Sequence, residues 1–166
     1  MYENTSGLRI GEPVVPSGAP VCAALGPGII SNIFDGIERP LRDMTKTAGA
    51  FVAEGSAIPS LDEGREFDVT VTVKSGDRLS GGAVYCTCPE TPLITHKCMV
   101  PPDISGEVVW TAPNGKHRVN DVIIKLRLPD GSEKPFTMVQ RWPIKTPRPV
   151  SRRLPISRPL ITGQRI

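Results

Sequence analysis

Glu66-Phe67-Asp68-Val69-Thr70-Val71-Thr72-Val73 alternates polar and apolar side chains without a break. Successive side chains of a strand point to opposite faces, so this period of two predicts a strand with Phe67, Val69, Val71 and Val73 on a dry face. Lys74-Ser75-Gly76-Asp77 then reads as a turn. Residues 83–88 and 93–100 follow as second and third strands, and residues 106–111, 121–128 and 135–142 as three more. Pro129-Asp130-Gly131-Ser132 carries hairpin chemistry, because proline presets the first turn angle and glycine tolerates positive φ. Residues 45–142 are therefore expected to be a mainly β, antiparallel domain.

That domain contains a weak internal repeat. Residues 76–84 (GDRLSGGAV) and 115–123 (GKHRVNDVI) share a turn glycine, an apolar residue, a small polar pair and an entering strand. Two such half-units related by a pseudo-twofold make a barrel-sandwich hybrid, and residues 99–109 (MVPPDISGEVV) read as the link between them.

Upstream, residues 1–24 are punctuated by glycine and proline and read as a strand end followed by loop. Residues 25–44 form a linking segment. Within it Ile29, Ile30, Ile33, Phe34 and Ile37 recur at the period of a helix with one buried face, so a short helix ending before Pro40 is expected. Downstream, residues 143–166 carry Pro143, Pro147, Pro149, Pro155 and Pro159, a spacing that favours extended chain. This is a Pro-rich linker. The chain has no apolar run near the ~20 residues a bilayer requires, and no basic-then-apolar leader. No direct membrane insertion is expected, and a cytosolic setting is.

The formal charge of +3 is unevenly spread. Residues 1–133 hold 12 Lys/Arg against 17 Asp/Glu, while residues 134–166 hold 8 Lys/Arg and no acid. A basic tail invites a nucleic-acid partner. Trp142 and Phe136 alone, however, make a poor base-stacking platform. Proline-spaced Arg148, Arg152, Arg153 and Arg158 suit a strap over acidic protein surface, and no nucleic acid is expected.

Cys86, Cys88, His96 and Cys98 fall within thirteen residues and raise a zinc reading, since three sulfurs and an imidazole can fill a tetrahedral site. Against it, Cys-x-Cys puts both thiols on one strand face, whereas zinc knuckles use a two-residue gap and a turn. Buried free cysteine is also an ordinary small core residue. No metal is expected. His96 and His117 have no evident Ser, Cys or carboxylate arrangement around them, and Asp62-Glu63 sits in a loop, so no catalytic residue is assigned. Residues 73–84 and 99–109 also resemble biotinyl and lipoyl carrier domains, which present a modified lysine at a hairpin tip between two such motifs. Here Lys97 comes too late for the tip, so the scaffold matches and the chemistry does not.

Residues 25–41 (LGPGIISNIFDGIERPL) and 159–165 (PLITGQR) resemble the catalytic A subunit (alpha chain) of V-type and A-type rotary ATPases. Tyr2–Leu8 is similar to the last strand of that family's N-terminal β-barrel. Glu90-Thr-Pro-Leu-Ile94 with His96, Met99-Val-Pro-Pro102 and Ser105-Gly-Glu-Val108 resemble the insertion, or bulge, that precedes its P-loop. Gln140-Arg-Trp-Pro143 and Pro147-Arg-Pro149 match the return toward the nucleotide domain. Cys86, Cys88 and Cys98 stand where that family has Gly, Val or Ile. A P-loop requires Gly-x-x-x-x-Gly-Lys-Ser/Thr, and the only Gly-Lys pair, Gly115-Lys116, is followed by His117. The resemblance therefore implies a structural insertion segment of an ion-translocating ATPase, which is not an enzyme by itself. ATP and Mg belong to the parent subunit, with no cofactor in this segment. Gly163-Gln164-Arg165 would be a junction. The implied partners are the B subunit of an alternating head and peripheral-stalk subunits, with the complex cytoplasmic and peripheral to the membrane.

Overall fold

The computed structural model describes residues 6–16, 18–30, 32–49, 58–150, 152–159 and 161. Its elements are β1 (Cys22–Leu25), α1 (Leu41–Ala48), β2 (Glu66–Val71), β3 (Arg78–Leu79), β4 (Val84–Thr91), β5 (Ile94–Met99), β6 (Gly106–Thr111), β7 (Gly115–Arg118), β8 (Ile124–Arg127), β9 (Glu133–Phe136) and β10 (Gln140–Pro143). Two four-stranded antiparallel sheets, ordered β5-β4-β2-β7 and β3-β6-β8-β9, share one core, and neither closes into a barrel.

The repeat explains this topology. Half-unit β2–β5 corresponds strand for strand to half-unit β6–β9. Each half gives its short strand to the other half's sheet: β3 pairs with β6, and β7 pairs with β2. The two sheet orders are therefore the same order under the pseudo-twofold. Phe67 and Val69 of β2, Val108 of β6, and Ile124 and Leu126 of β8 meet in the core, each 4% exposed or less. The alternation read in β2 holds, with Phe67 and Val69 buried while Asp68 and Thr70 are exposed. The 129–132 hairpin forms as expected: Leu128 N–H donates to the Ser132 carbonyl, and Gly131 adopts φ +85°.

Three expectations are corrected. The described residues among 29–37 are not helical. Asp35 Oδ1 accepts from the N–H groups of Ile37 (3.0 Å) and Arg39 (2.9 Å), Glu38 sits at φ +66°, and Phe34 bridges to Pro40. A short polar side chain that bonds its own backbone competes with the helical ladder, and here it wins. The helix comes after Pro40 instead. With φ fixed near −74° and no N–H to lose, Pro40 starts α1 rather than ending a helix before it. Met44 points α1 into the interior.

Residues 135–142, expected as one strand, split into β9 and β10 on different sheets, because the Met138 N–H turns to the Val119 carbonyl. The loop before Gly26 also contains a strand: β1 pairs antiparallel with β10, with Ala23 opposite Trp142. Val14 and Val15 lie in exposed non-strand chain. Of the stretch 2–8 read as a strand, residues 2–5 fall outside the described residues and residues 6–8 lie in turn and non-strand chain; the reading of residues 163–165 also falls outside the described residues.

Candidate functional site

The β4–β5 hairpin gathers the chemically active side chains. Its register sets Cys86 opposite Cys98 and Cys88 opposite His96. The inward period of β4 continues past the cysteines to Glu90, so Cys86, Cys88, Glu90, His96 and Cys98 share the inner side of one hairpin. A bulge between Val84 and Cys86 lets Tyr85 turn inward as well, where its hydroxyl donates to the Thr137 carbonyl.

The three cysteines behave as core residues. Cys86 and Cys88 are fully buried, and Cys98 is 4% exposed. Burial pushes the Cys88 thiol up to about 12, with nearby Cys98 and Glu90 adding to it. Hydrogen bonding with Cys86, then burial, pushes the Cys98 thiol up, against a downward pull from His96. Thiolate is the metal-binding and nucleophilic form, and these surroundings disfavour it. Among the described residues, no group of three or more His, Cys, Asp or Glu is arranged to hold a metal ion.

Glu90 is the single buried charged residue among the described residues. Its Oε1 accepts from the N–H of Gly28 at 2.8 Å and of Ile30 at 3.0 Å. Its Oε2 lies 3.4 Å from His96 Nδ1. A carboxylate that loses water at burial needs such charge-assisted partners. The receiving loop is shaped for it: Gly28 has φ +103°, and a Cβ on Gly26 would meet Leu61 Cδ1 at 2.9 Å. Hydrogen bonding to the Cys98 sulfur raises the His96 imidazole above its ordinary range; the Glu90 carboxylate adds to this and burial opposes it. Sequence reading quoted Glu90 only within a motif and missed its role. The signal was there, since a charged residue two positions after Cys88 falls on the dry face and must find a partner.

The other candidates are dispersed. His117 is held by the Pro113 carbonyl at 2.8 Å from Nε2, on β7. Asp62 is an exposed loop residue whose Oδ1 accepts from the Gly64 N–H. The tip of the β4–β5 hairpin is Pro92-Leu93, and Lys97 lies within β5 opposite Thr87, so the tip offers no lysine. The guanidinium of Arg148 stands 4.5 Å over the Trp142 ring and covers that face against a base. Arg152, Arg153 and Arg158 are exposed.

Two exchanged half-units, with their buried carboxylate bound to main-chain amides, define a barrel-sandwich β module. Residues 58–145 match the family described as ATPsynthase alpha/beta subunit barrel-sandwich domain, and the chain belongs to that family. Along its whole length it is 46% identical to the V-type ATP synthase alpha chain of Halothermothrix orenii and 43% identical to the A subunit of the A-type ATP synthase of Pyrococcus abyssi. It is also 43% identical to the catalytic A subunit of the V-type proton ATPase of Cyanidium caldarium. The chain spans 28%, 16% and 29% of the lengths of these relatives. Among the described residues, no helix is long and apolar enough to cross a membrane.

Proposed function

We propose that this chain is a structural, non-nucleotide-binding insertion of the catalytic A subunit of an ion-translocating V/A-type ATPase. In that setting ATP hydrolysis or synthesis, coupled to proton or sodium transport, takes place elsewhere in the same polypeptide. The observation that carries this reading is the match of the whole of this chain to part of A subunits, joined to an interior whose ionisable groups serve the fold. Cys86, Cys88 and Cys98 pack as apolar residues, and Glu90 holds its own backbone. The expected partners are the B subunit of the same head together with peripheral-stalk subunits, in an assembly that is cytoplasmic and peripheral to the membrane.

A chimera tests this. The corresponding segment of the Halothermothrix orenii alpha chain is replaced by these 166 residues. The chimera is expected to hydrolyse ATP once assembled with its B subunit. A folded chimera that cannot assemble would contradict the proposal.

A further inference from the structure

Glu90 joins two parts of the chain that are 60 or more residues apart, the 26–30 loop and the β4–β5 hairpin. Its side chain is 2% exposed, so solvent cannot replace the two amide donors, whereas the His96 side chain is 25% exposed and can exchange its proton with water. The group that titrates is thus accessible, and the bonds that depend on it are enclosed. We infer that Glu90 and His96 form a proton-sensitive latch, in which the imidazolium of His96 holds the carboxylate in place for the amides of Gly28 and Ile30. Loss of that proton loosens the loop from the hairpin.

The other groups around the latch support this assignment. Cys88 and Cys98 face it from β4 and β5 as raised thiols that carry no charge near neutrality, and Arg65 acts on Cys88 from just before β2. Beyond Gly28 and Ile30, Arg42, Asp43, Lys46, Asp62 and Arg65 line one open cleft, and Arg148 lines another beside His96 and Cys98; solvent in both clefts screens these charges from the buried carboxylate. His96 is therefore the titrating group in direct contact with Glu90. Because His96 is raised in the folded chain, its contribution is fully present below the ordinary imidazole range and is lost as pH rises through the folded value. By linkage, a seated loop in turn favours the proton on His96. The latch rests on these contacts and stands apart from the chain's proposed place in an ATPase.

Amide exchange on the whole chain tests it, with the Ile123 N–H, which donates to Phe136, as a core reference. The His96 signal is identified with the His117→Gln variant. On raising pH through the His96 midpoint, the protection of Gly28 and Ile30 is expected to fall relative to Ile123 by at least about fivefold. His96→Gln should abolish that pH dependence, and Glu90→Gln should lower the His96 midpoint. Gly28 and Ile30 tracking Ile123 throughout in the unsubstituted chain would overturn the latch, as would an unchanged His96 midpoint in a folded Glu90→Gln variant.

Discussion

Cys86 and Cys98 face each other across the β4–β5 ladder, both sealed from solvent. The surroundings of Cys98 favour the neutral thiol, and those of Cys88 do so as well. Cys22, on β1, is only partly buried. A disulfide reagent near neutral pH should therefore label one thiol per chain quickly, at Cys22, and reach the other three only as the chain unfolds. Rapid labelling of all four in the native chain would show that the hairpin interior is open.

Leu126 is the best probe of the shared core. It is fully buried on β8, opposite Val108 on one side and Lys134 on the other. Leu126→Ala removes three carbons where both half-units meet, and is expected to cost about 2–5 kcal/mol. Urea unfolding measures this directly. A loss below about 1 kcal/mol would mean that the two sheets do not pack on one another as described.

Asp35 makes the acid side testable. The Arg39 backbone N–H, with further bonds from the Arg39 side chain and the Ile37 N–H, holds its carboxyl below the ordinary value of 3.8, although burial opposes this. A group depressed in the folded state contributes stability above its unfolded value and loses it as pH falls through the folded one. Asp35→Ala should therefore destabilise the chain at about pH 6 and approach the unsubstituted chain in stability at about pH 2. Paired denaturation curves at the two values decide it. An equal gap at both would assign the effect to something other than ionisation.

The parts of the fold that were legible in sequence are those where one residue pattern had one meaning. Phe67 and Val69 alternate with Asp68 and Thr70 because one face of β2 is dry, and Pro129 to Ser132 could only be a hairpin. The repeat between residues 76–84 and 115–123 was visible because each half must hand a strand to the other. The strands exchanged, Arg78–Leu79 and Gly115–Arg118, were not visible: they are too short to show a period and take their partners from the opposite half. Cys22–Leu25 lacks alternation because both of its faces are partly covered. The isoleucines of residues 29–37 mimic a helical stripe, and the decisive atoms there are the polar ones of Asp35. The hairpin cluster was legible in composition and in shared face. The bond from Glu90 to Gly28 was not, because it spans 62 residues.

Calorimetric titration of the folded chain with MgATP is the deciding measurement. A β module whose ionisable interior serves its own backbone should give only dilution heats. Saturable binding at micromolar concentration would contradict the reading of this chain as the non-nucleotide-binding insertion of a rotary ATPase's catalytic polypeptide.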